Sequence, residues 1–442
     1  MENITSSRQR LVDVRLHVYA SFPFRADALF ELVDALLLSP IIRSAVEVSQ
    51  GPLFWRRFAS VYDALTEGKI NPTALRRALV AAEPADALTV AGDAVDARDT
   101  TIAPRPNAKT VRDRSKVYSA AHEKAIAGHQ FSWLGRVIAR GQSWFAPREV
   151  VRGPAQGTPG EIGAAQIQRL AADPAPQPKV VTVDRHFPVP PVLRAFVGWA
   201  PRVVLLARLA SNRVRYGAPP LPTGKPGRPR KHGAKLSLHQ PGPPDRQETV
   251  RRVGQEVRIS AWVTYHFRAV PTLVGLVVRA EFLRADGTPR YKRPLGLFWS
   301  GPVTISLGDS VTMYLLRYVI EHFFRFLKQR RGLLAAHLGD LGPIETWVQV
   351  VALASWQLLL ARDAVQPTDR PWDPTARQDP NRPLTPGQVL AAWPIFSRTV
   401  GTPAAPPRRA GKAPGRAPGE RPKPRERHPV VKTGKQRPKI AA

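Results

Sequence analysis

The sequence stretch YLLRYVIEHFFRFLKQRRG, residues 314–332, is the most informative part of this chain. Most of its residues are apolar, which predicts a helix that is buried on more than one side. Four of its polar side chains lie at intervals of three, four and seven residues: Tyr314, Arg317, Glu321 and Lys328. Residues at these intervals lie on one face of a helix. A polar stripe on a buried helix predicts a cleft or a partner rather than a solvated surface.

Composition argues against the simplest alternative, an exposed helix on which Arg317 and Glu321 form an i,i+4 ion pair worth about 0.2–0.5 kcal/mol. The 442-residue chain contains 66 Lys and Arg against 34 Asp and Glu, a formal charge of +32 at pH 7. This excess is larger than solubility requires and predicts a polyanionic partner, with nucleic acid as the first candidate. No basic amphipathic segment or lipidation motif accompanies it, so we expect no membrane partner.

The absence of cysteine limits the chemistry of the chain. It excludes disulfides, Cys-ligated zinc and iron–sulfur clusters, so metal ligands must be carboxylate, His or carbonyl groups. The first residues, MENITSSRQR, contain no apolar signal core. The longest apolar run, residues 347–361, is shorter than the roughly 20 residues of a membrane span. We therefore expect a soluble, cytoplasmic protein.

Hydrophobic periodicity divides the chain into segments. Residues 1–86 have helical spacing, with Asn71 and Pro72 as a typical helix start, and predict an N-terminal helical domain for which DNA binding is one role. Residues 87–210 alternate strand-like and helical runs, which predicts an α/β domain with a mixed sheet flanked by helices. The predicted elements are strands at 87–99, 129–139 and 143–151, a helix at 160–172, a strand at 179–184, a helix at 190–199 and a strand at 202–209.

Residues 210–305 break this alternation with a Pro/Gly-rich basic loop and then three strands, which predict a β-rich insertion. The predicted strands are 256–267, 272–283 and 290–299. The quoted helix follows, then an apolar helix at 342–364, so the α/β domain spans residues 87–365. Residues 366–400 are a C-terminal extension. The basic tail, residues 401–442, has almost no large apolar residues and is predicted to be disordered.

The spacing of Tyr314, Arg317, Glu321 and Lys328 resembles the Tyr-Arg-Glu-Lys signature of the cut-and-paste DDE transposases of bacterial insertion sequences. Four residue types at three fixed gaps make this match fairly specific. The resemblance implies an RNase H-like α/β domain in which the glutamate is the third metal-binding acid, on a helix that follows a β-rich insertion. The order of elements inferred above agrees with it, and the similarity covers residues 90–365.

Two further acids complete the site that the resemblance implies. The stretch KVVTVDRHF is an apolar strand that ends at Asp184 and Arg185, and sites in α/β sheets form at the C-terminal ends of strands. The family has an Asp at this place, often followed by Arg. The alternative is an Asp184 that caps the next helix.

The first acid has three candidates in VAGDAVDARDTTIAPRPNA: Asp93, Asp96 and Asp99. Alternation along a strand places Asp93 and Asp99 on one face and Asp96 on the other. The stretch DTTIAPRPNA resembles the family's first-acid motif, an Asp with a Thr two residues on and then Pro-Arg-Pro. That motif selects Asp99, with Asp96 as the alternative.

The chemistry that the resemblance implies is phosphoryl transfer on DNA. The three acids would hold two Mg²⁺ ions, with Mn²⁺ as a substitute, about 3.5–4 Å apart, one activating the nucleophile and one stabilising the leaving oxygen. Tyr314, Arg317 and Lys328 would hold phosphates near the cleaved end. The enzyme would cut and join double-stranded DNA at mobile-element ends and in the target. It would act as a homodimer that holds two ends, in the nucleoid of a prokaryotic cell.

The basic segment GKPGRPRKHG, residues 224–233, supplies further DNA-binding candidates: Arg228, Arg230 and Lys231. Its Gly-Arg-Pro flanked by cations resembles an AT-hook that places Arg in the minor groove. No Arg precedes Gly227, so a loop that follows phosphates without sequence preference is the better interpretation. Arg185, beside the second acid, is another candidate.

Two other functions explain part of the sequence. A catalytically inactive DNA-binding protein derived from a transposase would keep the charge and the fold. A basic RNA- or ribosome-associated protein would explain the charge but not the aligned polar residues on an apolar helix. The presence of all three acids together with the full signature favours the enzyme.

Overall fold

The structure is a computed structural model. It describes residues 2–39, 41–119, 123–138, 144–173, 178–196, 202–210, 212–220, 230–252, 254–366, 383–408, 415, 417–419, 421 and 424–432. Part of the predicted basic loop, including Arg228, lies outside the described residues.

The N-terminal part is helical, as its periodicity predicts. Its helices are α1 Glu2–Ala20, α2 Ala26–Leu38, α3 Ala45–Val48, α4 Ala59–Glu67 and α5 Pro72–Ala81. The predicted start of α5 is confirmed, because the Asn71 side chain accepts hydrogen bonds from the backbone N–H groups of Thr73 and Ala74, both at 3.1 Å. These bonds satisfy two of the amides that a helix N-terminus leaves without partners.

Strands and helices alternate in the rest of the chain. The strands are β1 Thr89–Val90, β2 Asp93–Pro104, β3 Ser115–Ser119, β4 Lys124–Val137, β5 Phe145–Gly153, β6 Lys179–Val183, β7 Val203–Leu209, β8 Val214–Tyr216, β9 Lys235–Ser237, β10 Arg246–Arg252, β11 Gln255–Phe267, β12 Val270–Phe282 and β13 Leu295–Trp299. The helices are α6 Pro159–Ala172, α7 Val189–Phe196, α8 Leu307–Leu316, α9 Tyr318–Arg330, α10 Leu341–Ala361 and α11 Pro386–Val400.

These strands form one large mixed sheet. Its main order is β3-β4-β2-β6-β7-β13-β12-β11-β8-β9, with β1 beside β2, β5 beside β4 and β10 beside β11. The central strands β2, β6 and β7 are parallel, and the other pairs among these strands are antiparallel. The strands within the predicted insertion therefore extend the central sheet, because the buried strand β13 pairs directly with β7.

Helices cover both faces of this sheet, as the sequence predicts. Residues Val181 and Val183 of β6 pack into a core with α6 and α7. Val180, which points to the opposite face, belongs to a second core that contains α8, α9 and α10 and also the N-terminal helices. This second face carries the candidate site.

Helix α10 is the centre of the second core. It contacts α1, α2 and α4 of the N-terminal part as well as β5 and α11. By length and composition α10 could cross a membrane, but 83% of its most apolar window is buried inside the protein. Such burial is typical of the central helix of a folded core.

The predicted single helix over residues 314–332 is wrong in one respect, because two helices meet at Arg317. The backbone N–H of Arg317 donates to the carbonyl of Tyr314, and that of Ile320 donates to the carbonyl of Arg317, both at 3.0 Å. These i to i−3 bonds tighten the turn between α8 and α9. The tight turn changes the angular spacing of the predicted polar stripe.

Strand β2 begins later than predicted. Ala91 and Gly92 have φ values of 52° and 85° and form a turn just before Asp93. Since the strand runs on to Pro104, Asp99 lies in its middle rather than at its end.

The prediction of a disordered tail does not hold for residues 424–432. The backbone N–H of His428 donates to the carbonyl of Lys109, and that of Val431 donates to the carbonyl of Arg114. Val431 also forms a parallel bridge with Ser115 at the edge of β3. Main-chain pairing with a free strand edge needs no apolar side chains, so composition did not reveal it.

Candidate active site

Three neighbouring parallel strands place polar residues in one row. Arg98 of β2 lies beside Val183 of β6, and Val183 lies beside Ala207 of β7. Asp99, Asp184 and Arg208 follow these three residues and so occupy equivalent positions, with Asp184 directly after the end of β6. Side chains in register point to the same face of a sheet, here the face that α8 and α9 cover.

Aromatic packing fixes α9 above this row. Trp133 of β4 is the register partner of Asp99. Its buried ring makes edge-to-face contacts with Phe323 and Phe324 of α9, each with centroids 5.8 Å apart. Edge-to-face pairs add about 0.5–1.5 kcal/mol beyond area burial, so these contacts hold Glu321 above β2.

The Pro-Arg-Pro motif that follows Asp99 connects the end of β2 to the chain after α9. Arg105, in Pro-Arg-Pro, is buried and donates a hydrogen bond to the carbonyl of Ala336 in the segment after α9. Arg114 in turn donates to the carbonyl of Arg105. The end of β2 is thereby tied to the chain that leaves α9.

The Arg317 guanidinium is the point at which the three predicted acids meet. Its Nη1 donates to Asp99 Oδ2 at 2.7 Å and its Nη2 donates to Glu321 Oε1 at 2.7 Å. Asp184 Oδ1 lies 3.8 Å from Nη2. The Arg317 side chain is 8% exposed, whereas those of Asp99, Asp184 and Glu321 are 24%, 28% and 44% exposed. The acids thus reach solvent from one side and share one buried cation on the other.

The mutual proximity of these charges shifts the pKa values of Arg317 and Glu321. Burial alone would lower the pKa of Arg317, but the negative charges of Asp99, Asp184 and Glu321 raise it above its ordinary value. Partial burial raises the pKa of Glu321, and Asp99 and Asp184 raise it further, against the opposing effect of Arg317. The cluster is therefore an electrostatically coupled unit.

Two more residues of the polar stripe adjoin this cluster. Tyr314 is buried, and burial raises the pKa of its hydroxyl, while Arg317 and Arg208 oppose the shift. Much of Lys328 is exposed, yet burial of its ammonium lowers its pKa, and Asp99 offsets part of that effect. The Lys328 Nζ also lies 6.0 Å from the centroid of the Phe324 ring.

The alternative first acid lies elsewhere. Asp96 is fully buried on the face of β2 opposite to Asp99, and its Oδ1 accepts a hydrogen bond from Arg148 Nη1 at 2.8 Å. Arg148 is also paired with Glu83. This geometry gives Asp96 a structural ion pair and leaves Asp99 as the acid that lies with Asp184 and Glu321.

The other predicted DNA-binding residues are not part of this cluster. Arg185 is exposed, and its Nε lies 3.0 Å from His186 Nε2. Arg230 and Lys231 are exposed and make no contact with the three acids among the described residues. Their neighbour His232 has its Nδ1 2.9 Å from His266 Nε2.

The donor set suits a hard divalent cation, since Mg²⁺ and Mn²⁺ prefer carboxylate oxygens. In the described part of the chain, however, no three His, Asp or Glu side chains surround a common cation position. The guanidinium of Arg317 lies between the carboxylates and offsets one of their three negative charges. Asp99, Asp184 and Glu321 therefore fit a divalent cation in chemistry, and holding one requires them to give up contacts with Arg317.

Sequence reasoning missed Arg208. The sequence around Arg208, ARLAS, matches no known motif. Its position beside Asp184 depends on the pairing of β6 with β7. A cation at the C-terminal end of the next parallel strand is the signal that a topology prediction would have supplied.

Comparison with known proteins gives one family. A family model described as DDE superfamily endonuclease matches residues 17–266, more than half of the 442-residue chain. The match contains Asp99 and Asp184 and ends before Glu321. No curated protein matches the chain.

One solved structure with similarity is described as a cryo-EM structure of a piggyBac transposase synaptic complex with hairpin DNA. The TM-score is 0.42 at 8% sequence identity, over 86% of this chain and 74% of that chain. A score of this size does not establish a common fold. The family model carries the assignment, and by it the chain belongs to the DDE superfamily endonuclease family.

Proposed function

We propose that this chain is a DNA transposase that cuts and joins DNA strands at mobile-element ends by metal-assisted phosphoryl transfer. One observation carries the proposal: Asp99, Asp184 and Glu321 come from a strand, a strand end and a helix, and they meet around one guanidinium. Three carboxylates around one guanidinium carry two negative charges in excess, so much of their mutual repulsion is left uncompensated by Arg317. Their convergence is therefore better explained by chemistry than by folding.

In this proposal the acids and the neighbouring polar residues have different roles. Asp99, Asp184 and Glu321 hold the divalent cations, Mg²⁺ or Mn²⁺, which when bound would activate the attacking oxygen and neutralise charge at the phosphate. Lys328, which is exposed beside the cluster, holds a backbone phosphate of double-stranded DNA, whereas the buried Tyr314 lies against Arg317. The RNase H-like class is part of the proposal, supported by a helix-borne Glu321 above two parallel strands that carry the aspartates.

The cellular setting is proposed on the same basis. A cytoplasmic, nucleoid-associated protein of a prokaryote meets the expected substrate, and a homodimer on DNA brings two element ends together. The formal charge of +32 supports a polyanionic partner. No membrane partner is proposed.

A second candidate is a catalytically inactive DNA-binding protein. The ion pairs of Arg317 favour it, since they give the acids a counter-ion without a metal. In that case the cluster would only stabilise the fold.

The test is a cleavage assay on duplex DNA that carries the ends of the element encoding the chain, with Mg²⁺ or Mn²⁺. We expect strand cleavage by the wild type and its loss in Asp184→Asn and Glu321→Gln. Asp93→Asn is the matched control, since Asp93 begins the same strand as Asp99 and is not in the cluster. Cleavage by the two site variants at the wild-type rate would show that these acids are not catalytic.

Two further outcomes separate the alternatives. DNA binding without cleavage in any divalent ion would favour the inactive protein. Tighter binding to structured RNA than to duplex ends would favour an RNA-associated function.

A further inference from the structure

Two arginines lie at the row of acids, and they differ in what they contact. Both guanidinium ends of Arg317 are engaged with carboxylates at 2.7 Å, and its side chain is 8% exposed. Arg208 is only partly buried, and it makes no hydrogen bond and no ion pair with any described residue. Arg317 is therefore ion-paired with the acids, whereas Arg208 forms no hydrogen bond or ion pair with a described residue.

Arg208 follows Ala207, whose register partner Val183 is the last residue of β6 and precedes Asp184. Asp184 lies 3.8 Å from Arg317 and makes no ion pair with Arg208. Its neighbour on the other side, Leu297 of β13, is buried and apolar. Arg208 is partly exposed, and none of its nitrogens is among the buried polar atoms that lack a partner. Its guanidinium carries five N–H donors in a planar fork, and these donors are open to a ligand because no described residue accepts from them.

The chemistry of that acceptor follows from the donors and the neighbours. A planar fork matches two oxygens of a carboxylate or a phosphate. The carboxylates nearby are engaged with Arg317, and the candidate substrate is a phosphodiester that must lie beside Asp184. A backbone phosphate of DNA is thus the acceptor that both the geometry and the proposed reaction supply.

We infer that Arg208 is the residue that anchors a DNA phosphate at the acid cluster, while Arg317 serves as the counter-ion of the acids. The inference rests on the proposed function and adds a positioning residue to it. It also revises the sequence prediction for Arg317 in the metal-free protein, because there its guanidinium is held by two carboxylates and does not bind phosphate. A DNA strand held by Arg208 would lie across the ends of β6 and β7, with one phosphate next to Asp184.

The first test measures the affinity for a fluorescein-labelled duplex of arbitrary sequence by anisotropy, without divalent ions and over a range of salt. Loss of one phosphate contact lowers the salt slope by about 0.9. Arg208→Gln should show that loss and bind about fivefold more weakly at roughly 0.15 M salt. Arg208→Lys should recover most of the slope. The matched control is Arg43→Gln, an arginine whose side chain is 75% exposed on the N-terminal part.

The second test uses the absence of cysteine from the chain. Arg208→Cys and Arg43→Cys each introduce a single thiol that a small maleimide can label. Saturating duplex should slow labelling at position 208 at least severalfold more than at position 43. Unfolding temperatures equal to that of the wild type would verify that each variant is folded, which we expect because Arg208 has no partner to lose.

The outcomes are distinct. If the wild type binds duplex and Arg208→Gln has the affinity and slope of Arg43→Gln, the role of Arg208 is wrong and the proposed function stands. Equal protection of the two thiols would overturn it in the same way. If the wild type does not bind duplex at all, the proposed function itself fails.

Discussion

Replacing Arg317 by glutamine should destabilise the protein and make it more responsive to divalent cations. The variant loses the 2.7 Å contacts to Asp99 and Glu321 and the longer one to Asp184. The Glu321 side chain is 44% exposed, so solvent screening limits its contact to less than about 1 kcal/mol. The contact to the less exposed Asp99 contributes about 1.5–2 kcal/mol. We expect the free energy of unfolding to fall by about 2 kcal/mol.

The assay is urea unfolding of the wild type and Arg317→Gln, with and without Mg²⁺. A ligand at a hundred times its dissociation constant stabilises by about 2.7 kcal/mol, so Mg²⁺ can replace the lost guanidinium charge. In the wild type Arg317 competes with the cation, and the stabilisation by Mg²⁺ should be smaller. Arg208→Gln is the control, since Arg208 lies at the same acids without a hydrogen bond or ion pair to a described residue.

One result would refute this reasoning. If Arg317→Gln unfolds at the same urea concentration as the wild type and gains no more from Mg²⁺, the guanidinium is not the counter-ion of the three acids. A loss of stability without any response to Mg²⁺ would instead show that the carboxylates cannot hold the cation.

Three other predictions concern different parts of the molecule. Burial, with the charges of Arg152 and Arg105, lowers the pKa of His129 to about 4. An unfolded His titrates near 6.5, so His129 has no effect on the free energy of unfolding above pH 6.5 and lowers it by about 3 kcal/mol at pH 4. When the pH is lowered to 4, urea unfolding of His129→Leu should therefore show a loss of stability that is about 3 kcal/mol smaller than that of the wild type. Asp96→Ala should lower the free energy of unfolding by about 3 kcal/mol, as expected when one partner of a buried ion pair is removed. Asp99→Asn should abolish DNA cleavage and lower the free energy of unfolding by less. The opposite pattern would make Asp96 the catalytic acid and Asp99 the structural one. Deleting residues 424–442 should speed amide hydrogen exchange in β3, and unchanged exchange there would mean that the tail does not cover this edge.

Local patterns sufficed for the parts of the site that lie on single elements. Alternation along β2 separated Asp99 from Asp96, and helical spacing placed Arg317 near Glu321. The buried strand before Asp184 predicted its place at a strand end.

What local patterns missed depends on long-range pairing. The position of Arg208 follows from the parallel pairing of β6 with β7, and the place of β13 follows from its pairing with β7. Both pairings join segments far apart in sequence, for which periodicity carries no signal. The contact of Arg317 with Asp99 is of the same kind, since 218 residues separate them.

The position of α10 between the N-terminal helices and the sheet has a consequence for dissecting the protein. Val350 and Leu358 of α10 are fully buried, and they belong to the same core as Leu29 and Val95. A fragment that starts after α5 would leave this side of α10 facing water. Such a fragment should aggregate, because wide apolar patches on a monomer associate. The proposed recognition of DNA ends and the proposed strand cutting should therefore be separated by point substitutions in the full-length chain, not by cloning its halves.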